Sequence, residues 1–546
     1  MRQEKRHQVV IVGGGPVGVA LAVELGLRGV SCALVESRTG LQQIPKGQNL
    51  TQRTLEHFYS WGVVDEMRAA RLMPPGYPIG EVTAYGNLMS EYWHAPPGRE
   101  IVRPYYFQDN ERLPQYRVEE VLRRKMAALK SVESRLGWTA KAVDQGDEGV
   151  RVAIVEEGGS GHAVLEADYL VGCDGGNSLV RTQAGIERGG TDFEQRMVLA
   201  VFRSRALHAG LKRFPDRSTY RVMRPELKGY WQFFGRIDVG EGWFFHAPVP
   251  ANAVAHSANE GFDFRALMHE AAGFEFACEF DHVGFWDLRV AVAENYQVGR
   301  VFIAGDAAHS HPPYGGFGLN NGLEDASNLG WKLAATLQGW GSDALLHSYS
   351  EERRAIFKET AEDFIAARIA KDAAFLARYD PGRDREEFER AWKAQTDATS
   401  RVQGYEPNYE GSPIVAGPPH GKCSAHGTHM FKARAGHHLA PQPLSTGRNV
   451  FEELGTGFTL LALNAHEDAN EDANEDGDDG IVESFEQAAR SLGMPLKAVR
   501  DTCRGELQRY ESRLVLVRPD QFVAWSGDTP PGDVRALMSK ALGRIG

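Results

Sequence analysis

A short apolar run followed by three regularly spaced glycines constrains the fold of this 546-residue chain more than any other feature. Residues 8–12 read QVVIV, and Gly13, Gly15 and Gly18 follow in the spacing G-x-G-x-x-G before a helical stretch. The next run, SCALVE, has strand character and ends in Glu36. A strand, a glycine turn, a helix and a second strand ending in an acid predict a dinucleotide-binding βαβ unit.

Each part of this motif has a physical task. The first glycine permits a tight turn, the second lets a pyrophosphate approach the backbone, and the third lets the helix pack on the strand. The helix N-terminus supplies N–H groups and partial positive charge for the diphosphate. Glu36 is placed to accept hydrogen bonds from an adenosine ribose, which suits NAD or FAD better than NADP. The nucleotide contacts predicted here are Gly13, Gly15, Pro16, Val17, Gly18, Glu36, Ser37 and Arg38.

A second nucleotide-contacting signal lies far downstream, in GRVFIAGDAAHSHPPYGGFGLNNGLEDASNLGWKLAA, residues 299–335. An apolar strand there meets the lone carboxylate of Asp306 and is followed by a glycine-lined helix start. FAD is long enough to need both segments, so the sequence predicts FAD, with its ribityl chain at Asp306. The N–H groups near Gly318, Leu319 and Asn320 are expected to face the N1–C2=O edge of the flavin, which becomes anionic on reduction.

These segments resemble the class A flavoprotein aromatic hydroxylases, the group of p-hydroxybenzoate and phenol hydroxylases, over nearly the whole chain. CDGGNSLVR, residues 173–181, resembles a fingerprint that serves both flavin and nicotinamide nucleotide, and LPQYRVEEVL resembles a helix whose glutamine contacts the flavin. Relatives usually carry an arginine near the pyrophosphate where this chain has Lys46, which keeps the charge but not the bidentate fork. The cofactor contacts that the resemblance implies are Lys46, Gln48, Gln115, Asp174, Asp306, Pro313, Gly316, Gly318, Leu319 and Asn320.

Within residues 299–335, the resemblance also indicates which residues lie near the reactive edge of the flavin. A proline at the position of Pro313 lies close to the reactive edge of the flavin in the family, so it is the expected catalytic-site residue. Phe317 stands where relatives often have glutamine, and it either faces the substrate or fills a gap. His309 is structural by the resemblance, although His309 and His311 both have the residue type for proton transfer near neutral pH.

Aromatic residues alternate along residues 76–104 and 196–285, which predicts antiparallel strands with one covered face. Such a sheet over the flavin is the expected substrate chamber, although the alternative that most of these side chains belong to a core stays open. The candidates for its wall are Trp231, Phe233, Trp243, Phe245 and Trp286, with Tyr230, His246 and Arg289 as polar contacts.

Together these features predict an α/β fold with three parts. A Rossmann-like, GR2-type FAD-binding domain is expected over 1–75, 105–195 and 286–400. It is interleaved with the antiparallel-sheet substrate domain over 76–104 and 196–285. The strands and helix after residue 412 resemble the thioredoxin-like C-terminal domain of phenol-hydroxylase relatives, over 412–546. Because this domain has no CxxC, it is not expected to perform thiol chemistry.

The segment HEDANEDANEDGDDG, residues 466–480, interrupts that C-terminal domain. Asp472, Asn474, Asp476 and Gly477, with Glu483, match the spacing of an EF-hand calcium loop. A strand precedes the segment where that motif requires a helix, and the EDAN unit is repeated. We therefore expect a disordered acidic insertion and no metal site.

Composition narrows the remaining possibilities. A formal net charge of −12 with no basic cluster argues against nucleic acid as a partner. Five scattered cysteines give neither a disulfide framework nor a zinc site, so a cytoplasmic location is expected. The basic N-terminus and apolar run resemble a signal peptide, but Glu24 and the glycines interrupt the run. No stretch is long and apolar enough to predict a membrane span.

The function that the resemblance implies is aromatic ring hydroxylation with non-covalently bound FAD. NAD(P)H, binding transiently, would reduce the flavin, and O2 would form a C4a-hydroperoxide that delivers oxygen to a phenolic substrate. No second GxGxxG is present, so the sequence leaves NADPH and NADH open, with NADPH preferred. Baeyer–Villiger or epoxidation chemistry is the enzymatic alternative, and a flavin-binding redox sensor or scaffold is the non-catalytic one. A homodimer through the flavin and C-terminal domains is expected by the same resemblance.

Overall fold

The N-terminal βαβ unit predicted from the glycines is present. The computed structural model describes residues 6–251, 253, 262–395, 399–463, 475–501 and 509–544. Strand β1 spans His7–Val12, helix α1 spans Pro16–Leu27, and strand β2 spans Cys32–Glu36. The two strands pair in parallel. Proline suits the first position of α1, because N–H groups in the first turn of a helix have no acceptor within it and proline has no N–H to leave unpaired.

The remaining strands and helices follow in chain order. The strands are β3 (Asn49–Leu50), β4 (Glu81–Tyr85), β5 (Trp93–His94), β6 (Glu111–Arg112), β7 (Val132–Leu136), β8 (Trp138–Gly146), β9 (Gly149–Glu156), β10 (His162–Gly172), β11 (Arg188–Arg203), β12 (Thr219–Met223), β13 (Gln232–Arg236), β14 (Gly242–Val249), β15 (Glu279–Ala293), β16 (Gln297–Val298), β17 (Val301–Ile303), β18 (His309–Ser310), β19 (Tyr405–Tyr409), β20 (Cys423–His426), β21 (Phe458–Leu463), β22 (Leu496–Asp501), β23 (Leu514–Val517) and β24 (Val523–Gly527). The helices are α2 (Gln52–Ser60), α3 (Val64–Ala69), α4 (Gln115–Ala127), α5 (Leu179–Gln183), α6 (Arg205–Gly210), α7 (Phe264–Ala272), α8 (Phe317–Leu337), α9 (Asp343–Glu359), α10 (Ala367–Arg378), α11 (Arg385–Ala394), α12 (Thr399–Gly404), α13 (Glu475–Leu492) and α14 (Val534–Ala541). A π-helical segment, Thr360–Ala366, joins α9 to α10.

The first sheet brings three distant segments to one edge. Its order is β16-β17-β10-β1-β2-β7, with β9 and β8 continuing from β10. β17, β10, β1, β2 and β7 run in parallel. Since parallel strands share the edge at which they end, the turns after β1, β10 and β17 lie side by side. The glycine motif, the CDGG segment and the GDA segment therefore meet.

The second sheet is almost entirely antiparallel and supplies the predicted aromatic surface. Its order is β18-β15-β11-β14-β13-β12-β4-β5, and β12 pairs with β4 in parallel. One face packs against α6 and α7 in a hydrophobic core. The long strands β11 and β15 pair from Arg188 to Arg203 and cross the domain boundaries placed at 195 and 286. The domain limits themselves stay a prediction.

The C-terminal domain has the sheet order β22-β21-β23-β24, in which β21 and β22 are parallel and the other pairs are antiparallel. With helices α13 and α14, this arrangement fits the predicted thioredoxin-like domain. Its core includes Trp331 of α8, so the domain packs directly on that helix. The acidic segment 466–480 lies outside the described residues as far as 474, and helix α13 begins at Glu475. Within the described ranges, no helix combines the length and apolarity that a bilayer span requires.

Candidate functional site

A cavity of about 1350 Å³ lies between the first two sheets. One end is formed by the glycine motif and by the turns after β10 and β17. Its middle is bordered by α4 and by the start of α8, and its other end by the open face of the second sheet. Apart from Gly18, every predicted cofactor contact lines this cavity: Gly13, Gly15, Pro16, Val17, Glu36, Ser37, Arg38, Lys46, Gln48, Gln115, Asp174, Asp306, Pro313, Gly316, Gly318, Leu319 and Asn320.

The glycine turn is shaped by close contacts between backbone segments. Gly13 has a φ of 108°, and a Cβ placed on it would lie 2.2 Å from the carbonyl oxygen of Cys173. A Cβ on Gly18, which packs beneath the turn, would lie 1.9 Å from the carbonyl oxygen of Gly13. At Gly15, by contrast, no described atom beyond the adjoining stretch of chain lies within 4 Å of the Cβ position. The turn is therefore closed on its inner side and open toward the cavity, which fits a diphosphate on the helix N-terminus.

Glu36 ends β2 beside this turn, as predicted. Its Oε2 accepts a hydrogen bond from the Gly14 N–H at 2.7 Å. Its Oε1 accepts bonds from the Arg38 N–H at 2.9 Å and from the Ser37 hydroxyl at 3.3 Å. These bonds fix the carboxylate at the cavity wall, where its remaining lone pairs can accept from a ribose.

Helix α4 contributes a residue that sequence reasoning missed. Arg123 lines the cavity, and its Nη2 donates to the Gly14 carbonyl at 3.0 Å. It lies two helical turns after Gln115, so Gln115, Glu119 and Arg123 share one face of α4. The Gln115 amide donates to Glu119 at 2.8 Å, and burial raises the pKa of Glu119. The spacing from the predicted Gln115 was the signal that could have identified Arg123.

Asp174, a predicted cofactor contact, lies in the turn after β10 and makes hydrogen bonds within the protein. Its Oδ1 accepts from the Ser178 hydroxyl at 2.5 Å, and its Oδ2 accepts from the Val180 N–H at 3.1 Å. Asp174 thus holds the start of α5 while it borders the cavity. Arg181 donates to the carbonyls of Gly176 and Ala307, which ties this turn to the one after β17.

Asp306 faces the cavity from the turn after β17. Its carboxylate is exposed to the cavity, yet desolvation by the surrounding protein raises its pKa, against the opposing effect of His309, Lys46 and Arg188. The Lys46 ammonium lies on the same cavity wall and donates to Gln42 at 3.2 Å. Gln48 is buried, and neither of its amide atoms has a hydrogen-bond partner among the described residues. A polar ligand with hydroxyl groups fits this wall.

The start of α8 is formed by two consecutive glycines in the left-handed region. Gly315 and Gly316 have φ values of 79° and 70°. The N–H groups of Phe317, Gly318 and Leu319 have no acceptor inside the helix because they belong to its first turn. They border the cavity, which agrees with the predicted position of the flavin edge.

The side chain of Asn320 is already occupied within the protein. Its oxygen accepts from the Thr51 N–H at 2.9 Å and from the Thr54 hydroxyl at 2.6 Å. Its amide donates to the carbonyls of Gly316 and Asn49 at 2.7 and 2.8 Å. Asn320 therefore holds the turn in place with four side-chain hydrogen bonds made within the protein, while it borders the cavity.

Pro313 and Phe317 frame this turn. Pro313 is partly exposed to the cavity, and Phe317 is 8% exposed. Phe317 packs against Tyr405 and Phe364, with ring centroids 4.7 and 6.2 Å away. It therefore belongs to the wall as a buried packing residue that also borders the open space.

The two histidines of this segment have different surroundings. His309 Nε2 lies 2.6 Å from Asp325 Oδ2, which also accepts from the Gly305 N–H at 3.0 Å, so His309 braces the turn. His311 Nδ1 lies 2.6 Å from the Pro312 carbonyl, which only accepts, so Nδ1 carries the proton. Burial lowers the pKa of His311 to about 4, so its ring is neutral at pH 7.

The open face of the second sheet forms the predicted aromatic wall. Of the candidates, Trp231, Phe233, Trp286 and His246 line the cavity, together with Phe244, which the sequence did not single out. The Trp231 ring stacks on Tyr314 at 4.5 Å. Burial lowers the pKa of His246 to about 3, so this ring is also neutral at pH 7.

Four wall candidates do not line the cavity. Trp243 and Phe245 lie on the other face of β14, where the Trp243 indole donates to the Ser204 carbonyl at 3.0 Å. Side chains alternate between the faces of a strand, so Phe244 and His246 face the cavity and their neighbours do not. The Tyr230 hydroxyl lies 3.5 Å from the Phe193 carbonyl, and Arg289 is exposed beside Asp287. None of these four residues is among those that line the cavity.

Two protein-family models match the chain. The first, described as FAD binding domain, covers residues 6–363. The second, described as aromatic-ring hydroxylase, C-terminal, covers residues 432–545. Together they cover most of the cavity lining and most of the C-terminal domain that packs on α8.

Individual relatives match almost the full length of this chain. A putative polyketide hydroxylase of Streptomyces halstedii is 30% identical over 96% of this chain and 94% of its own. The 4-methyl-5-nitrocatechol 5-monooxygenase of Burkholderia sp is 29% identical over 98% and 96%. Among solved structures, the rebeccamycin biosynthetic enzyme RebC with reduced flavin has a TM-score of 0.82 at 27% identity, covering 99% of both chains. A ternary complex of aklavinone-11 hydroxylase with FAD and aklavinone has a TM-score of 0.78 at 25% identity, covering 99% of both.

Proposed function

The chain belongs to the family of FAD-dependent aromatic-ring hydroxylases, and from this premise we propose that its substrate is a phenol, with NADPH as reductant and O2 as oxidant. It is a flavoprotein monooxygenase that binds FAD and hydroxylates an aromatic substrate. In the proposed reaction, one oxygen atom of O2 is inserted into a ring C–H bond. The other leaves as water with two electrons from NADPH.

The observation that carries the proposal is the continuity of the cavity from the glycine turn to the aromatic wall. Its volume of about 1350 Å³ exceeds the roughly 300–1000 Å³ typical of a site for one small ligand. The space therefore suits a dinucleotide and an aromatic ring together. Relatives are named for 4-methyl-5-nitrocatechol and for a polyketide.

Named residues would hold the two ligands. Glu36 would accept from the ribose of the adenosine, and Asp306 would accept from a ribityl hydroxyl. Lys46 would balance the diphosphate charge, with Arg123 fixing the carbonyl of Gly14 beside it. When bound, FAD supplies the redox chemistry and the activation of oxygen.

The substrate end would position the ring and exclude water. Trp231, Phe233 and Phe244 are 5%, 7% and 7% exposed, so their surfaces are almost fully packed. We assign the substrate wall to these residues with His246 and Trp286, and the approach to the flavin edge to Pro313. Exclusion of water by such a wall favours transfer of oxygen to the ring over loss as peroxide.

Three accompanying features belong to the same proposal. The reductant would bind transiently, because no second G-x-G-x-x-G segment exists to hold it. A cytoplasmic location is supported by the scattered cysteines, and a homodimer through the flavin and C-terminal domains is supported by the family resemblance. Sedimentation of the FAD-loaded protein tests the dimer.

The proposal is tested by screening phenols, hydroxybenzoates and polycyclic phenols against the FAD-loaded protein. A phenolic substrate should accelerate NADPH consumption and yield a hydroxylated product in excess of peroxide. Parallel reactions with NADH test the choice of reductant. Lactone or epoxide products would favour the Baeyer–Villiger or epoxidation alternative, and an absence of stimulated NAD(P)H consumption with every class would contradict the proposed substrate class.

A further inference from the structure

The side chain of Arg53 on α2 bonds both the start of α8 and the C-terminal domain. Arg53 Nε and Nη2 donate to the two oxygens of Glu324 on α8, at 3.0 and 3.2 Å. Glu324 lies one helical turn after Asn320, and it also lies 2.8 Å from the His57 Nε2 atom. Burial alone would raise the pKa of Glu324, but Arg53 and His57 hold it well below its ordinary value.

The other donors of Arg53 reach into the C-terminal domain. Nη1 donates to the side-chain oxygen of Gln521 at 2.7 Å, and Nη2 donates to the backbone carbonyl of Asp520 at 2.6 Å. A further bond from Nη1 reaches Glu56 at 3.4 Å. The guanidinium has five N–H donors, and these five bonds use all of them. Three structural elements therefore meet at one planar group.

The segment that receives Arg53 is the turn between β23 and β24, residues 518–522. It is buried: Arg518, Asp520 and Phe522 are at most 2% exposed. Gln521 has a φ of 61°, a conformation that is unusual for a residue other than glycine and persists where the surroundings enforce it. Asp520 is also bonded by Arg518 and by the Trp331 indole of α8.

The first turn of α8 is therefore supported at two levels. Asn320 fixes it to the N-terminus of α2, through Thr51 and Thr54. One turn further along, Glu324 is fixed to Arg53, and Arg53 is fixed to residues 520 and 521. Displacement of the C-terminal turn would move Arg53, and with it the contact that orients α2 against α8.

We propose that Arg53 is a positioning residue through which the turn 518–522 of the C-terminal domain sets the flavin-facing first turn of α8. The proposal rests on the proposed placement of the flavin ring at that turn. Under this proposal the C-terminal domain contributes to the geometry of the flavin site. Neither Arg53 nor Gln521 lines the cavity. They therefore act on the flavin site through the position of the backbone at the start of α8.

Two variants remove this support in different ways. Arg53→Met removes the donors and keeps much of the side-chain volume, whereas Arg53→Lys keeps the charge but loses the planar fork. Gln521→Gly removes one acceptor and suits the left-handed backbone, so this variant is expected to fold even if Arg53→Met does not. Arg28→Met is the matched control, because Arg28 also bonds the C-terminal domain, at the Thr456 carbonyl, but from the far end of α1.

The measurements are the FAD dissociation constant, by fluorescence titration, and the visible circular dichroism of the bound flavin. We expect Arg53→Met to weaken FAD binding about tenfold and to change the flavin dichroism, and Gln521→Gly to weaken binding several-fold. Arg53→Lys should not restore either quantity, and Arg28→Met should keep both within about twofold of wild type.

Each outcome bears on the proposal separately from the function. Wild-type affinity and dichroism in folded Gln521→Gly and Arg53 variants would overturn it. Restoration by lysine would also overturn it, since charge alone would then suffice. Failure of the wild-type protein to bind FAD would instead contradict the placement of the flavin on which the proposal rests.

Discussion

At the glycine-turn end of the cavity, backbone segments approach so closely that no side-chain atom fits at Gly13 or Gly18. At the aromatic end, large side chains from several strands share the wall, and none is required by backbone geometry. The cofactor end is thus determined by a few positions at which only glycine fits. The substrate end is determined by which face of a sheet a residue occupies. This difference explains how one scaffold can keep its cofactor while its substrate changes.

The largest expected effects come from substitutions on the two sides of the glycine turn, at Gly13 on its inner side and at Gly15 on the cavity side. Gly13→Ala should destabilise the protein and weaken FAD binding more than roughly hundredfold, because its Cβ would overlap the Cys173 carbonyl. Gly15→Ala should keep the wild-type melting temperature and still weaken FAD binding, because only the cavity side of the turn changes. Fluorescence titration and thermal unfolding check both. Gly146→Ala, where no described atom lies within 4 Å, is the control; equal melting temperatures for Gly13→Ala and Gly146→Ala would contradict this account.

The aromatic end can be tested with two neighbours on β14. Phe245→Ala should cost about 3–5 kcal/mol of unfolding free energy, because the side chain is 1% exposed in the core under α6 and α7. Phe244→Ala should cost less, since its side chain borders the cavity, and it should mainly alter KM for an aromatic substrate. Urea unfolding and steady-state kinetics separate the two results. A reversed pattern would mean that the faces of β14 are assigned wrongly.

The neutral ring of His246 predicts a pH dependence of stability. Its pKa is lowered to about 3, so below pH 6.5 the unfolded chain takes up a proton before the folded one does. The free energy of unfolding should therefore fall as the pH drops from 6.5 toward 3, by about 1.4 kcal/mol per pH unit. His246→Phe should flatten this dependence, measured by urea unfolding across that range. His162→Gln, at an exposed position, is the control, and an unchanged slope in His246→Phe would contradict the buried neutral ring.

The smallest expected effect on stability comes from Asp306. A raised carboxyl pKa means that the folded protein loses stability as the pH rises through that pKa. Asp306→Asn should therefore stabilise the FAD-free protein at pH 7, by at most about 1 kcal/mol because the carboxylate is exposed to the cavity. The same change should weaken FAD binding. Thermal unfolding with and without FAD measures both effects. A variant that is also more stable than wild type in the presence of FAD would contradict a cofactor contact at Asp306.

The sequence predicted the parts of this site that depend on local geometry. The glycine turn and the helix start at Gly316 follow from which residues can adopt a given backbone shape, and Glu36 follows from its place at the end of the second strand, so their positions could be recognised without a structure. Arg123 was missed because its contact is with a backbone carbonyl, and only its spacing from Gln115 pointed to the cavity. The contact of Arg53 with residues 520 and 521 depends on the packing of two domains, which no local pattern encodes.

The aromatic wall shows a different limit. In GWFFHAPVP, residues on both faces of β14 are large and apolar, because one face packs on helices and the other borders the cavity. Polar and apolar residues do not alternate regularly here, so the pattern predicts a strand but not which residues lie on which face. Trp243 and Phe245 were assigned to the wrong face for this reason, and Phe244 was overlooked.

The long strands β11 and β15 carry a mechanical consequence. β11 is 16 residues long, about 50 Å at the usual rise, and it stays paired with β15 on both sides of the bulge between Asp192 and Gln195. At its far end β15 pairs with His309 and Ser310, just beyond Asp306. The wall residue Trp286 on β15 and the turn that carries Asp306 are therefore joined by one continuous hydrogen-bonded ribbon.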